Sequence, residues 1–355
     1  MNAPHTQPPA GARRLVLPRG AGPAQRWSLH APAAPRKVQV IELRRESEDA
    51  VTLLLQPEDG RPMVFRAGQY LTHCFEIDGV VHRRAYSISS AEGQTLACTV
   101  KALPDGRVSR HVLTALVPGA RYTVLGPSGD FQLPADQQAP LVLLAGGSGI
   151  TPVISLIETA LAQSPQRAIQ LVYVNRDPAQ AIFAARLSEL VSRHASFRIE
   201  SIATRGGRPD QATLGRALGT LTGAHYFLCG PQGLMDAAEA ALTAAGLDAA
   251  RIHRERFLPA PRPQARPTRP QTIIFERSGR TVVQQPGESI LDAGLRAGLR
   301  LDFSCTVGGC GHCKIKVRQG NTLLNDPNCL SDAERAAGWT LACSACATGP
   351  VTIDA

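Results

Sequence analysis

Between Val38 and Leu133 apolar and polar residues alternate in short runs, VQVIEL, AVTLLL, QYLTHCFEI, RAYSIS, TLACTVKAL and RYTVLG, broken by Gly, Pro and Asp-Gly turns. Alternation puts successive side chains on opposite faces of a pleated strand, so this texture predicts an antiparallel barrel or sandwich over 38–134. After Pro134 the texture changes. LVLLAGG, IQLVYVN, RIESIAT and HYFLCG are continuous apolar runs separated by helical stretches. That is the pattern of strands buried on both faces and joined by crossover helices, and it predicts an α/β domain with a parallel sheet over 135–257. Two Pro-rich stretches frame these regions, seven prolines falling within 1–37 and five within 258–270. Proline lacks an N–H and pre-sets extended backbone, so the first stretch is expected to be a disordered tail and the second a semi-rigid linker. The linker sets off 271–355 as a C-terminal domain.

The junction PLVLLAGGSGITPVISLIETAL at 140–161 carries the first chemistry. A buried strand ending at Ala145 is followed by a turn through Gly146, Gly147 and Gly149, and Thr151 precedes a proline as a capping hydroxyl would. Such a turn aims a helix N-terminus and bare amides at a pyrophosphate, although it lacks the G-x-G-x-x-G spacing and a similar turn can merely close a connection. In RAYS, Arg84 and Tyr86 share a strand face and could serve a flavin's phosphate and ring; an exposed Arg beside a half-buried Tyr has the same four letters. GRVSRHVL at 106–113 puts Ser109 ahead of an apolar helical pattern, as a second anion-binding helix start or a plain cap.

The stretch CTVGGCGHC at 305–313 spaces Cys305, Cys310 and Cys313 as C-x4-C-x2-C, and Cys343 follows in LACSAC. Ordinary buried cysteines do not explain that spacing. A loop giving three thiolates to a two-iron cluster must wrap closely around it, and Gly308, Gly309 and Gly311 can take positive φ and leave N–H groups free for the sulfurs, as in the plant-type [2Fe–2S] pattern. Structural zinc is the rival, but zinc sites usually bring cysteines as two short-spaced pairs. The chain has nine cysteines; Cys74, Cys98, Cys229, Cys329 and Cys346 are scattered without a disulfide-like framework, which suits a reducing cytoplasm.

Charge excludes one function class. The formal net charge is +9, of which the acid-free 1–37 supplies six through Arg13, Arg14, Arg19, Arg26, Arg36 and Lys37, and the second Pro-rich stretch three through Arg262, Arg266 and Arg269. The remainder is neutral, so no folded basic face for nucleic acid is expected. No run approaches the roughly 18 apolar residues of a membrane span, and no signal-peptide apolar region is present. The expectation is a cytoplasmic protein whose basic tail could hold it at an anionic inner-membrane surface. The tail's arginines also suggest a mitochondrial transit peptide, which its prolines oppose.

In order, RAYS (84–87), VKALPDGRVS (100–109), GPSGDFQL (126–133), AGGSGITP (145–152), LVYVNRD (171–177), CGPQGLM (229–235) and HRERF (253–257) resemble the ferredoxin–NADP reductase superfamily, and CTVGGCGHC…LACSA resembles a plant-type ferredoxin. The resemblance covers everything after the tail. It implies a multi-domain chain with an antiparallel β-barrel FAD domain, an α/β nucleotide domain and an α+β β-grasp ferredoxin domain, arranged like the reductase components of oxygenases and desaturases. It implies Arg84, Tyr86 and Ser87 at the flavin, Arg107, Val108 and Ser109 at its pyrophosphate, and Val100 and Phe257 within the cofactor-binding set. It also implies Gly146, Gly147 and Gly149 under the nicotinamide nucleotide's phosphates, and Thr151, Cys229, Gly230 and Pro231 near the nicotinamide. Tyr86, Ser87, Thr151 and Cys229 are the implied catalytic residues, and Cys305, Cys310, Cys313 and Cys343 the cluster ligands. The intact GRVS segment favours FAD over FMN. Arg176, after LVYVN, and Arg205, ending the next strand, could grip a 2′-phosphate, giving a slight preference for NADPH. The alanine-proline ending familiar after the fourth ligand is replaced by SACATG, which leaves Cys346 as an extra nearby thiol.

The implied reaction passes electrons from NAD(P)H through FAD to the cluster and on to an acceptor protein: an oxygenase, hydroxylase, membrane-bound desaturase or hybrid-cluster protein. A redox-sensing protein without turnover is the alternative, against which CGPQG argues by offering a nicotinamide dock.

Overall fold

The computed structural model describes residues 35–257 and 267–355. The expected tail and its membrane contact, and the linker as far as Arg266, lie outside the described residues, except that Arg36 and Lys37 already belong to a strand.

The first sheet is antiparallel: β1 (Arg36–Ser47), β2 (Ala50–Pro57), β3 (Tyr70–Ile77), β4 (Val80–Ser87), β5 (Ala97–Lys101) and β6 (Arg121–Ser128), in the order β4-β3-β6-β1-β2-β5. An antiparallel bridge between Ile88, just past β4, and Cys98 in β5 joins the two edges, so the sheet closes into a barrel. Its interior holds Val38, Val40, Leu53, Leu55, Leu71, Phe75, Ile88 and Val124. Asp78 and Gly79 turn the β3–β4 hairpin, with φ of 53° and 72°. Two consecutive positive φ values make the tight turn whose twist matches the flanking strands, and Asp-Gly is a favoured pair for it. Helix α1 (Arg107–Thr114) follows β5.

The second sheet is parallel: β7 (Leu141–Gly146), β8 (Ile169–Asn175), β9 (Phe197–Ala203), β10 (His225–Cys229) and β11 (Ile252–Glu255), in the order β11-β10-β7-β8-β9. Helices α2 (Ile150–Gln163), α3 (Ala184–Arg193), α4 (Gln211–Leu218) and α5 (Gln232–Ala244) fill the connections. The chain runs outward from β7 to β9 and then crosses to β10 on the other side. The order therefore reverses between β7 and β10, and the crevice at the carboxyl ends of such a strand pair is where open α/β sheets bind ligands. Two hydroxyls of α2 fasten this domain to the barrel: Ser155 donates to the Ser90 carbonyl at 2.6 Å, and Thr159 accepts from the Glu92 amide at 3.0 Å.

The third domain has β12 (Gln271–Phe275), β13 (Arg280–Gln284), α6 (Ile290–Arg296), β14 (Lys314–Gln319), β15 (Thr322–Leu324), α7 (Asp332–Ala336), β16 (Trp339–Leu341), β17 (Ala345–Ala347) and β18 (Val351–Asp354). Its main sheet is mixed, in the order β13-β12-β18-β14-β16, and β15 pairs with β17 beside it. Helix α6 lies across the sheet with Ile290, Leu291 and Ala293 in a core shared with Ile273, Phe275, Leu341 and Ile353. A Ser289–Asp292 capping box starts that helix.

Candidate functional site

At the switch point, β7 ends in Gly146 and a short helical turn through Gly147–Gly149 leads into α2. A Cβ at Gly149 would stand 2.2 Å from the Cys229 carbonyl oxygen, and one at Gly230 would stand 3.0 Å from Gly146 Cα. The turn and the Cys229–Pro231 segment are thus packed backbone against backbone, which is why glycine is required at both. Gly147 has φ of 53° and open space where a Cβ would be. The expected cap differs: α2 begins at Ile150, so Thr151 and Pro152 lie inside its first turn, and the buried Thr151 hydroxyl donates back to the Ser148 carbonyl at 3.0 Å.

Parallel pairing sets Cys229 of β10 level with Ala145 of β7 and Glu255 of β11. Glu255 accepts from the Ser87 hydroxyl of the barrel at 3.4 Å. Burial pushes the Glu255 carboxyl up to about 8, against which the Ser87 hydrogen bond works, so the group holds its proton at neutral pH. Burial, with Glu255 adding to it, also pushes the fully buried Cys229 thiol well up, and it stays neutral. Ser87, Cys229 and Glu255 therefore form an uncharged, hydrogen-bonding wall where the two domains meet. Phe257 is exposed two residues beyond Glu255.

Arg84 is half-buried on the barrel, and His82 lies close to both Arg84 and Arg107. His82 Nε2 is buried without a partner, and burial and the two guanidinium groups hold the imidazole below its usual range. Arg107 opens α1 and pairs with Asp78 at 2.5 Å; the first turn of α1 contains no acid. Two arginines, an imidazole and a helix N-terminus suit a pyrophosphate. Ser109 is not the cap expected of it. Gly106 caps α1, while the buried Ser109 hydroxyl donates to the Gly106 carbonyl and accepts from the Leu103 amide, both at 3.1 Å. Val108 and Val100 are buried in the barrel core, with no side-chain surface for a ligand. Tyr86 and Ser87 face opposite ways along β4: Ser87 meets Glu255, whereas Tyr86 packs on the barrel core and lies edge-on to His73, ring centroids 5.4 Å apart.

In the nucleotide domain Arg176 is exposed after β8 and makes no ion pair among the described residues. Arg205, just past β9, pairs with Asp177.

The four thiols expected to bind a cluster gather as two pairs. The Cys305 and Cys310 thiols are in hydrogen-bonding contact, the Cys305 amide also lying 3.5 Å from Cys310 Sγ, and Cys313 Sγ lies 3.2 Å from Cys343 Sγ. Two pairs fit two irons better than one tetrahedral zinc. Amides of Val307, Gly309 and Cys310 point at Cys305 Sγ at 3.5, 3.2 and 3.4 Å, as donors to a thiolate should. Gly308 and Gly311 have positive φ; Gly309 does not, and the third left-handed residue of the loop is Thr306 at 53°. A Cβ on Gly308 would come 2.7 Å from Ser344 Oγ, so that glycine admits the β16–β17 turn that carries Cys343. Cys346 is buried in β17, opposite Leu323 of β15.

This loop rests on the outer face of the β3–β4 hairpin. Tyr70 Oη lies 2.6 Å from Ser304 Oγ, Thr72 donates to the Cys305 carbonyl at 3.2 Å, and Arg83 reaches Asp292 of α6 at 3.0 Å. In the ladder Tyr70 stands opposite Ser87 and Thr72 opposite Ala85. One face of one hairpin thus meets both the Ser87–Glu255 wall and the cluster loop. Tyr70, His82 and Glu255 were missed in the sequence. Glu255 lies inside the quoted HRERF, but only the pairing of a four-residue strand with β10 sets it beside Cys229.

Three family models match the chain: an oxidoreductase FAD-binding domain over 37–133, an oxidoreductase NAD-binding domain over 143–240, and a 2Fe-2S iron-sulfur cluster binding domain over 273–348. A component of the 1,2-phenylacetyl-CoA epoxidase of Escherichia coli is 34% identical over 345 residues, 89% of this chain and 95% of that protein. An NADPH oxidoreductase of Mycobacterium tuberculosis is 32% identical over 292 residues, 80% of this chain and 75% of that one. The solved structure of phthalate dioxygenase reductase, a module for electron transfer from pyridine nucleotides to [2Fe–2S], superposes with a TM-score of 0.71 at 26% identity, covering 91% of this chain and 98% of that one. Among the described residues no helix is long and apolar enough to cross a membrane.

Proposed function

Since the chain belongs to the ferredoxin–NADP reductase superfamily, in the group with a C-terminal [2Fe–2S] domain, and is an oxidoreductase using FAD, NAD(P)H and that cluster, we propose that it is the reductase component of an oxygenase system, drawing electrons preferentially from NADPH. The observation that carries this is the shared hairpin face: Ser87 at the nicotinamide end and Tyr70 and Thr72 at the cluster end belong to adjacent strands. A flavin held at this hairpin would supply the needed chemistry, accepting two electrons as a hydride from the nicotinamide and giving them up singly as a cluster requires.

The chain's own residues position and shield. The Gly146–Gly149 turn and the α2 N-terminus hold the nicotinamide nucleotide's phosphates, and Thr151 keeps that turn closed through Ser148. Gly230 and Pro231 line the nicotinamide's side, and the fully buried Cys229 behind them keeps water out. Ser87 offers a hydroxyl to the flavin edge, and Glu255 behind it holds a proton that Ser87 can relay. Arg84, Arg107, His82 and the α1 N-terminus would take the FAD pyrophosphate, with Tyr86 on the same strand face as Arg84 supplying aromatic surface and the exposed Phe257 adding to it. Arg176, with Arg205 beside it, receives a 2′-phosphate, in keeping with the NADPH named for the mycobacterial relative. Cys305, Cys310, Cys313 and Cys343 would hold the cluster as its four thiolate ligands.

The oxygenase as acceptor is supported by the epoxidase and dioxygenase named for the relatives. The test is anaerobic NADPH reduction followed at the flavin absorbance and by cluster EPR. Wild type should reduce flavin first and cluster second, whereas Cys310→Ser should reduce a small dye at the wild-type rate and fail to support an oxygenase. Full oxygenase support by Cys310→Ser rejects the proposed route.

A further inference from the structure

Thr72 is a residue of the flavin barrel whose side chain ends on the backbone of a proposed cluster ligand. Its hydroxyl, on a residue only 1% exposed, donates to the Cys305 carbonyl at 3.2 Å. The donor is held on both sides, since β3 lies between β4 and β6 in the sheet. Thr72 stands opposite Ala85, between the proposed flavin residues Arg84 and Tyr86 of β4. The acceptor is held as well: amides of Val307, Gly309 and Cys310 meet Cys305 Sγ at 3.5, 3.2 and 3.4 Å. Cys305 is thus fixed at both ends, its carbonyl by the flavin domain and its sulfur by the ferredoxin loop. Cys313 and Cys343 pack instead with the ferredoxin domain's own core. The other contacts across this seam differ in kind. Arg83–Asp292 and His312–Asp130, at 3.0 and 3.6 Å, join side chains that water reaches and salt screens. Tyr70 meets Ser304, beside the ligand rather than on it.

We propose that Thr72 is a positioning residue for electron transfer between the two domains: its hydrogen bond seats the ferredoxin domain with the Cys305 side of the cluster towards the flavin. The inference rests on the reading of the chain as a flavin-to-cluster reductase with Cys305 as a ligand. One electron leaves the reduced flavin and enters the cluster, where a ferric iron becomes ferrous, and no bond of Thr72 or Cys305 breaks. Such a transfer depends steeply on the gap between donor and acceptor. A buried carbonyl that loses its partner must find another or draw away, so the hydroxyl governs that gap. It does not set the driving force, because it bonds to the carbonyl and not to a sulfur.

The test uses the full chain with flavin and cluster bound, as wild type, Thr72→Val, Thr72→Ser and Arg83→Met. Anaerobic stopped-flow absorbance follows flavin and cluster reduction by NADPH, EPR titration gives the cluster potential, and hydrogen exchange reports on the seam. Thr72→Val keeps the shape and loses the donor. Its ratio of cluster-reduction rate to flavin-reduction rate should fall at least about tenfold, since misplacing reacting groups by about 1 Å can cost on the order of a hundredfold. The cluster potential should stay at the wild-type value. Exchange in 303–307 should quicken about tenfold, the equilibrium equivalent of one buried hydrogen bond. Thr72→Ser should restore both readouts, and Arg83→Met should change the ratio by less than about twofold. A wild-type ratio or unchanged exchange in Thr72→Val overturns the inference alone. So do equal losses in Thr72→Ser or Arg83→Met, a fall in potential, or loss of the cluster from Thr72→Val. A wild-type cluster that NADPH cannot reduce overturns the reading beneath it, and this inference with it.

Discussion

Glu255→Gln should stabilise the protein in alkaline solution and leave it nearly unchanged in acid. The carboxyl's ordinary value is 4.5, and burial raises it to about 8. Below 4.5 folded and unfolded chains both hold the proton and nothing is lost. Between 4.5 and 8 the unfolded chain releases the proton while the folded chain keeps it, so stability declines as pH rises; above 8 the penalty is complete. Each tenfold change in proton affinity corresponds to about 1.36 kcal/mol, which puts the ceiling at roughly 5 kcal/mol. Glu255 is half-buried rather than sealed, and solvent screening reduces this to about 2 kcal/mol. Glutamine has the same shape and no charge to desolvate. At about 2–4 °C per kcal/mol for a domain of this size, the variant should melt about 4–8 °C above wild type at pH 9 and within a degree or so of it at pH 4.5. Thermal melts followed by circular dichroism at a fixed saturating FAD concentration measure this directly, ligand linkage being held constant. An identical difference at both pH values, or a less stable variant at pH 9, would show that the Glu255 carboxylate is not desolvated by its surroundings and refute the reasoning.

Gly149→Ala places a methyl 2.2 Å from the Cys229 carbonyl; a loss of at least 1–3 kcal/mol, typical of overpacking, should appear in denaturant melts along with weaker nucleotide binding, and wild-type stability would contradict the tight packing. Cys343→Ser should lose the cluster's visible absorption, because Cys343 stands beside Cys313, while Cys346→Ser should keep it; the reverse result would exchange their roles. Arg176→Ala should lower kcat/KM for NADPH about tenfold or more with little change for NADH, as loss of a charge-assisted phosphate contact predicts, and equal losses with both cofactors would remove Arg176 from the 2′-phosphate site. Asp177→Asn should free Arg205 from its ion pair and improve the NADPH/NADH ratio; an unchanged ratio would make that pair irrelevant to cofactor choice.

The strand textures, the glycine turn after β7 and the C-x4-C-x2-C spacing were legible because each is local: a period, a turn or a loop is written in neighbouring residues. VQVIEL through RYTVLG became the six barrel strands, and LVLLAGG through HYFLCG became four strands of the parallel sheet. Local reading failed where a short segment admitted two phases. Thr151 and Ser109 sit two and three residues past the cap, inside the first turn, because Gly149 and Gly106 take the cap positions through backbone geometry alone. What the sequence could not contain is proximity across domains. Glu255 acquires its neighbours only when β11 pairs with β10 and α2 clamps the barrel, and its raised proton affinity is a property of that burial and of no motif. Tyr70 likewise reads as one more alternating strand residue, and it meets Ser304, 234 positions later, because the third domain rests on the hairpin. Period and spacing depend on covalent neighbours and survive in the unfolded chain, whereas desolvation and the contacts across the seams exist only after distant surfaces have been brought together.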